Sequence, residues 1–478
     1  MPIVTSESRL AIEAAGYGLP AEALFAAVHD RRGSFFLDSG LSAGGLGAFS
    51  FLGFEPFLTA RAWAGRLELE WAGAGAPEIR TGEPLDELRK LLLRFRSDGG
   101  EVPFCAGAVG YFSYEWGVRR EGVRPAGGGS DAPSGASPDF EFAFYDGLVA
   151  VEERTGEALL VANAVHLDSK AAILERLGRQ IGEALAHPPP LGDWWPERAG
   201  CWCESLPRPA YLKAVERIRE FIAAGDVYQV NLTQRFEAAQ AGSPYALYRR
   251  LRERSPAPFG CCLDLGSTRI LGSSPERLLN VAGGRARTRP IKGTRPRGRT
   301  AVEDARLASE LASSAKDRAE LLMIVDLERN DLGRVCEFGS VEVEENFVLE
   351  THPTVHHLAA QVAGRLAPGV DALACAAALF PGGSITGAPK IRAMQIASEL
   401  ETCPRHAYTG AVGYLGFDGS CDLNVAIRSF FLRDGRVRFH AGGGVVWDSE
   451  PEAEYVEMRA KARALVAAAS GDEEQSWP

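Results

Sequence analysis

The stretch Thr288-Arg289-Pro290-Ile291-Lys292-Gly293-Thr294 places one lysine between an apolar residue and a glycine, in the most basic part of the chain. Arginines stand at every second position around it: Arg285, Arg287, Arg289, Arg295, Arg297 and Arg299. In a β-strand, residues two apart share a face, so the arginines are predicted to point one way and Lys292 the other. Pro290 can shift this register, because proline cannot donate a hydrogen bond to a β-ladder.

Lys292 has two interpretations. In a pocket, burial and neighbouring cations lower the pKa of a lysine and make it a nucleophile. On the surface, Lys292 is one more solvated cation, and the arginines form a solvated face. The alternation alone leaves both interpretations open.

The composition is that of an ordinary globular protein. Of the 478 residues, 46% are hydrophobic and 24% are charged, which is typical of globular domains. The net charge of −11 argues against a nucleic acid partner, because phosphate binding needs a basic surface. We find no apolar run long enough to span a membrane and no secretory signal, so we expect a cytoplasmic protein without membrane contacts. The nine cysteines lack zinc-site spacing and are expected to be reduced thiols.

Hydrophobic periodicity predicts a mixture of strands and helices. Strands are predicted over 34–40, 48–54, 66–71, 107–111, 140–151, 159–162, 227–236, 260–265, 269–272, 408–417, 423–432 and 437–441. Helices are predicted over residues 1–30, 84–95, 170–186, 208–224, 245–254, 302–327, 390–400 and 451–467.

A proline-rich run at 187–192 is the best candidate for a domain boundary. It divides residues 1–190 from residues 191–470, and a frayed tail is expected at 471–478. Glycine, serine and proline predict a surface loop over 121–139. The sequence Gly-Ala-Val-Gly-Tyr occurs at 107–111 and again at 410–414, which suggests two sheets built on similar plans.

Two pairs of carboxylates lie on predicted helices. Asp317 and Glu320 are three residues apart, as are Glu454 and Glu457, so each pair shares a helix face. Four facing carboxylates would repel one another without a cation, and all-oxygen ligands suit Mg²⁺. The alternative is a set of solvated salt bridges, such as a helical pair between Glu457 and Lys461.

Glycine-rich segments and single charges complete the candidate site. Backbone N–H groups of the glycines at 442–444, after a strand, and of the loop at 381–387, before a helix, can bind an anion. Arg428 lies in an apolar strand, which is unusual unless it pairs with an anion. Ser274-Pro275-Glu276 puts a carboxylate directly after a strand, where a general acid could stand. We find no nucleophile motif for glutamine hydrolysis.

Several segments together resemble the chorismate-utilising enzymes, the family that contains aminodeoxychorismate synthase component I and anthranilate synthase component I. The segments are 225–232, 273–277, 289–294, 315–331, 380–390 and 441–449, within residues 208–467. Anthranilate synthases typically carry alanine where Lys292 stands, and isochorismate and salicylate synthases carry a lysine where Gln229 stands. The combination here resembles the aminodeoxychorismate branch. The first half of the chain resembles the family more weakly.

The resemblance implies an α+β fold with two large antiparallel β-sheets packed face to face, helices outside and the two halves intertwined. It also implies Mg²⁺ held by Glu320 and Glu457, with Asp317 and Glu454 supporting it through water. Lys292 would attack C2 of chorismate while Glu276, as general acid, assists loss of the C4 hydroxyl. Ammonia would then add at C4 and expel Lys292. His357 would act near the ring.

The remaining substrate contacts implied by the resemblance are Gly293, Thr294, Thr386, Tyr414, Arg428, Gly442, Gly443, Gly444 and Lys461. Ammonia would come from a separate glutamine amidotransferase subunit. Some relatives bind tryptophan near positions that correspond to Ser39, Pro258, Phe259 and Gly260. The expected product is 4-amino-4-deoxychorismate, for p-aminobenzoate and folate synthesis. The alternatives are anthranilate with pyruvate, and a catalytically inactive protein that binds tryptophan or chorismate.

Overall fold

The computed structural model describes residues 8–41, 46–127, 137–195, 202–353 and 355–470. The expected tail at 471–478, Cys201 and the middle of the loop predicted at 121–139 lie outside these ranges. The eight cysteines that the structure describes are free thiols. Among the described helices, none is both long enough and apolar enough to cross a membrane.

The first sheet contains twelve antiparallel strands, with Leu10–Ala14 at one edge. In spatial order they are β1 (Leu10–Ala14), β10 (Glu157–Asn163), β9 (Gly147–Glu152), β3 (Phe49–Gly53), β2 (Phe35–Asp38), β13 (Phe259–Asp264), β14 (Arg269–Ser274), β23 (Ser429–Arg433), β24 (Arg436–Val445), β12 (Gln229–Ala239) and β11 (Cys203–Glu204), with β20 (Gly387–Ala388) also paired to β12.

The second sheet also contains twelve antiparallel strands. In order they are β17 (Ile291–Pro296), β19 (Val355–Arg365), β16 (Arg285–Arg289), β15 (Arg277–Ala282), β22 (Cys421–Val425), β21 (Ala411–Gly416), β7 (Gly107–Phe112), β8 (Phe140–Tyr145), β4 (Leu58–Trp63), β5 (Arg66–Trp71) and β6 (Glu78–Thr81), with β18 (Glu342–Thr351) also paired to β19.

Helices cover the outer faces of the sheets. They are α1 (Ala21–Val28), α2 (Pro84–Arg94), α3 (Tyr114–Arg120), α4 (Lys170–Ala186), α5 (Arg208–Ala223), α6 (Pro244–Arg254), α7 (Ala301–Ser313), α8 (Ala315–Gly333), α9 (Ala372–Leu379), α10 (Gly383–Thr386), α11 (Lys390–Leu400) and α12 (Pro451–Ser470).

The sheets face each other across an apolar layer that contains side chains from both, such as Phe35 of the first sheet and Tyr111 of the second. Two further clusters pack helices against the outer face of each sheet. Each sheet takes strands from both sides of residue 190. The predicted α+β fold with two facing sheets, outer helices and intertwined halves is therefore confirmed, and the proposed boundary divides segments that share both sheets.

The two copies of Gly-Ala-Val-Gly-Tyr form neighbouring strands of one sheet, β7 and β21, rather than equivalent strands of two sheets. Gly110 lies opposite Gly413 in their register. A Cβ at Gly110 would come within 1.9 Å of the Glu141 carbonyl oxygen on β8, and a Cβ at Gly413 within 1.9 Å of the Asp422 carbonyl oxygen on β22. The repeat therefore marks a place where the backbones approach closely.

Four predicted elements were wrong in part. The strand predicted over 140–151 divides at Asp146 into β8 of the second sheet and β9 of the first. Residues 10–14 form edge strand β1 instead of a helix, because they pair with β10. The long helix predicted over 302–327 is broken at Ser314, whose extended backbone and hydroxyl cap the N-terminus of α8. The strand predicted over 423–432 is interrupted by Arg428, which has a φ of 50°. Apolar spacing continues across such breaks, so periodicity does not detect them.

Candidate active site

The stretch around Lys292 forms the end of the second sheet, and its strand breaks at Pro290 into β16 and β17. The alternation predicted for the arginines holds over β16, where Ala286 and Thr288 are buried on the opposite face. It does not continue to Arg295, because the register shifts between Lys292 and Thr294. The expectation of a solvated arginine face holds only in part, because Arg289 is buried and most of the partly exposed arginines form ion pairs. Their partners are Glu342 and Glu344 for Arg285, Glu345 and Glu350 for Arg289, Glu310 and Asp317 for Arg295, and Asp304 for Arg297.

Lys292 is half-buried, and its Nζ lies 3.5 Å from the carbonyl oxygen of Ser384. Burial lowers the pKa of Lys292, and the charge of Lys461 lowers it further, while Glu320, Glu276 and Glu457 oppose the shift. Lys292 therefore lies in partly buried surroundings that favour a neutral amine, which the first interpretation requires.

Glu276 follows β14 directly and is 5% exposed. Its carbonyl accepts a hydrogen bond from Val425 N at 3.0 Å, which fixes the backbone at this point. Burial raises the pKa of Glu276 to about 7, against the opposing effects of Ser384, Lys292 and Arg428. A carboxylic acid with a pKa near neutrality is suited to general acid catalysis.

Arg428 reaches the same space from the link between β22 and β23. Its carbonyl accepts a hydrogen bond from Ser273 N. Burial lowers the pKa of the Arg428 guanidinium, and the nearby Glu276 opposes this shift. Within the ranges that the structure describes, no carboxylate lies within ion-pair distance of Arg428. The guanidinium is therefore available to an anionic ligand.

His357 and Gly293 lie beside Lys292 where β17 pairs with β19. Thr294 Oγ1 and His357 Nδ1 are 3.0 Å apart. Burial lowers the pKa of His357 to about 3, so the ring is neutral at physiological pH and can donate one hydrogen bond. Gly293 has a φ of +74°, and a Cβ there would come within 2.7 Å of Leu311, so this position needs glycine.

Three of the four predicted carboxylates, those of Glu320, Glu454 and Glu457, approach the site from the N-terminal turns of α8 and α12. A Cβ at Gly443 would lie 3.4 Å from Glu454 and 3.8 Å from Glu457. Glu320 and Glu457 both act on the pKa of Lys292. Asp317 points elsewhere, because its carboxylate pairs with Arg295 at 3.0 Å.

Lysines neutralise part of this carboxylate cluster. Lys461 Nζ lies 2.7 Å from Glu457, and Lys316 lies 4.0 Å from Glu320. Ser449 Oγ lies 2.6 Å from Glu454. In the described part of the chain, no three acidic, histidine or cysteine side chains are grouped closely enough to bind a metal. Carboxylate oxygens are the ligands that Mg²⁺ prefers, and Glu320 and Glu457 both lie close enough to Lys292 to act on its pKa.

The three glycines at 442–444 lie within β24 rather than after it, which corrects the prediction. Gly442 and Gly444 pair with Thr233 and Asn231 of β12. On the other side, β23 pairs with β24 through Arg436 to Arg438, and no strand among the described residues pairs with this edge of the glycine run. Lys461 Nζ donates to Gly442 O there at 3.2 Å.

The loop from 382 to 387 covers the site through α10. Thr386, expected to bind substrate, instead turns its hydroxyl inward to the carbonyl of Gly382 at 2.9 Å. Ser384 was missed by sequence reasoning, although its carbonyl faces Lys292. Gln229 is fully buried, and neither atom of its amide has a partner among the described residues. A Cβ at Gly444 would come within 2.8 Å of that amide.

A second cavity, of about 330 Å³, lies apart from Lys292. Ser39, Pro258, Phe259 and Gly260 all line it, so the structure brings these predicted residues together. It also contains Tyr414, which was expected to bind substrate beside Lys292. The Tyr414 ring stacks on Phe104 at 4.2 Å, because its position on β21 directs it into the layer between the sheets.

Comparisons with known proteins agree with this fold and identify the family. Residues 45–467 match the family described as chorismate binding enzyme. The chain is 41% identical over 434 residues to anthranilate synthase component 1 of Methanothermobacter thermautotrophicus, covering 91% of this chain and 88% of that protein. It is 40% identical over 381 residues to aminodeoxychorismate synthase component 1 of Escherichia coli K12, covering 79% and 80%. The crystal structure of anthranilate synthase component I from Streptococcus pneumoniae is similar with a TM-score of 0.76 and 32% identity, covering 89% of this chain and 93% of that chain.

Proposed function

Because the chain belongs to the chorismate binding enzyme family, we propose that it converts chorismate and ammonia to 4-amino-4-deoxychorismate. The observation that carries this proposal is the placement of Lys292 beside Glu276. Burial makes the amine easier to keep neutral and the carboxyl easier to keep protonated. A nucleophile and an acid are thus available together at neutral pH.

Lys292 is the nucleophile of the first step. Its neutral amine bonds to C2 of chorismate, and the C4 hydroxyl leaves as water with the proton of Glu276. In the second step ammonia bonds to C4 and the Lys292–C2 bond breaks, which restores the amine. Dividing the substitution in this way replaces one difficult displacement by two easier ones.

Charged groups around this pair hold the substrate. Arg428 faces Glu276 and lacks a carboxylate partner in the described ranges, so it is proposed to bind a substrate carboxylate. The neutral ring of His357 donates one hydrogen bond near the substrate ring. Gln229 lies beside Gly444 and lacks the charge of a lysine that activates water.

Mg²⁺ is proposed to lie between α8 and α12. Glu320 and Glu457 would hold it, with Glu454 nearby, and it would supply positive charge for a substrate carboxylate. Because Lys461 pairs with Glu457 and Lys316 with Glu320, these lysines must move aside when the ion binds. The pairing of Asp317 with Arg295 favours a structural role for Asp317.

Ammonia is proposed to come from a glutamine amidotransferase subunit, since the similar proteins are named as first components. The product would then serve p-aminobenzoate and folate synthesis. Tryptophan is a proposed ligand of the cavity at Ser39. The cytoplasmic location stays a prediction.

Anthranilate synthesis is the second candidate, because relatives named anthranilate synthase component 1 are at least as similar, at 41% identity. The test is product analysis of the purified chain with chorismate, Mg²⁺ and ammonium. We expect aminodeoxychorismate from the wild type and its loss in Lys292→Ala, with Lys90→Ala on exposed α2 as the matched control. Anthranilate and pyruvate from the wild type would replace the proposal by the second candidate, and unchanged product from Lys292→Ala would remove the covalent role.

A further inference from the structure

Arg405 lies between α11 and β21 and is 1% exposed, the largest fully buried side chain among the described residues. Its Nε and Nη2 donate to the Glu401 carboxylate at 2.9 and 2.7 Å. The guanidinium also lies 4.3 Å from the ring of Tyr114 on α3. Glu401 in turn accepts hydrogen bonds from the backbone and hydroxyl of Thr233. The charge of Arg405 is therefore fully compensated.

Two further donors of Arg405 reach backbone next to the active site. Nη1 donates to the carbonyl of Ile385 at 3.1 Å, and Nη2 donates to the carbonyl of Asn231 at 2.9 Å. Ile385 follows Ser384, whose carbonyl faces Lys292. Asn231 Nδ2 lies 3.4 Å from that same Ser384 carbonyl. One guanidinium thus joins the two segments that meet over Lys292.

We propose that Arg405 is a positioning residue, which holds α10 against β12 and limits the access of water to Lys292 and Glu276. The guanidinium spreads five N–H donors over three nitrogen atoms in a fixed plane, so it reaches two carbonyls and a carboxylate that lie in different directions. Lysine keeps the charge, but its three donors share one nitrogen atom. The effect on turnover rests on the proposed function, whereas the effect on α10 does not.

Opening this space would act on both reactive groups. Burial is the main cause of the lowered pKa of Lys292 and the raised pKa of Glu276. Water would move both groups toward their charged forms, which are a poor nucleophile and a poor acid. The other charged groups that act on this pair are Glu320 and Glu328 on α8, Glu457 and Lys461 on α12, and Arg428.

Arg405→Lys tests the proposal, with Arg61→Lys as the matched control. Arg61 also pairs with a buried carboxylate, that of Glu141, but it lies on β4, away from Lys292. Amide exchange in the 383–387 segment is measured first, together with the pH at which an amine-reactive reagent labels Lys292. Neither measurement needs turnover, so failure of the proposed reaction would leave both informative.

We expect roughly tenfold faster exchange at 383–387 in Arg405→Lys and labelling of Lys292 that requires a higher pH. The kcat/KM with ammonia should fall about 10–100-fold. Arg61→Lys should change none of these. Glu401→Gln, which keeps the arginine but weakens its anchor, should shift exchange and labelling in the same direction by less. Unchanged exchange and labelling in Arg405→Lys, or an equal change in Arg61→Lys, would overturn the proposal.

Discussion

Two pairs of a basic and an acidic side chain lie close together in this protein, and burial affects their charges differently. Arg405 and Glu401 touch through several hydrogen bonds and stay charged. Lys292 and Glu276 influence each other without forming an ion pair, and burial drives each toward its neutral form. The first arrangement is suited to holding backbone segments, and the second keeps a nucleophile and an acid ready to react.

Removing the acid should have the largest effect. Glu276→Gln keeps the size of the side chain but cannot donate a proton, so kcat should fall about 10²–10⁴-fold. In the wild type, activity should decrease as pH rises through about 7, because Glu276 loses its proton there. A pH–rate profile measures both effects. An active Glu276→Gln enzyme with the same falling limb would show that another group is the acid.

Removing the buried guanidinium of Arg405 should destabilise the fold. Arg405→Ala leaves the Glu401 carboxylate buried without its partner, which costs about 3–5 kcal/mol. Guanidinium denaturation measures this loss. Arg436→Ala, on an exposed side chain 4.0 Å from Glu237, should change stability by less than about 1 kcal/mol. Similar losses of stability in Arg405→Ala and Arg436→Ala would show that the buried pair of Arg405 and Glu401 contributes no more than a surface ion pair.

Glu276 should also make stability depend on pH. Its folded pKa is raised to about 7, so the neutral form is favoured in the folded state. This contribution is complete below the unfolded pKa near 4.3 and is lost as pH rises through about 7. Glu276→Gln should therefore gain stability relative to the wild type between these pH values, by up to about 3 kcal/mol. Denaturation at pH 4 and pH 8 measures the gain, and an equal difference at both pH values would contradict it.

The smallest expected effect comes from Ser384. Its hydroxyl lowers the pKa of Glu276, so Ser384→Ala should raise that pKa and move the falling limb of the pH–rate profile to higher pH. Ser340→Ala is the control, since Ser340 bonds to the Glu337 carbonyl far from the site. A shift toward lower pH would contradict the assigned role of Ser384.

Local sequence patterns predict much of this fold, and α4 and α11 have the expected bounds. Family motifs predict the grouping of Lys292 with Glu276. Contacts made across the sheets are harder to predict, because they depend on register and on the direction of single side chains. Tyr414 therefore lies in the second cavity instead of beside Lys292.

Reasoning from the sequence also missed backbone groups and buried polar networks. Ser384 contributes a carbonyl, which no residue type reveals. Arg405 acts through segments 174 and 20 residues away in the chain. The breaks at Ser314 and Arg428 arise from backbone conformations inside otherwise continuous patterns.

Mass spectrometry of the peptide that contains Lys292 tests the central claim most directly. The enzyme is mixed with chorismate and Mg²⁺ without ammonia, quenched and digested. The account predicts an added mass equal to chorismate less one water on Lys292, absent from Glu276→Gln and discharged when ammonium is added before quenching. Formation of aminodeoxychorismate at the full rate with Lys292 unmodified at every time point would contradict it.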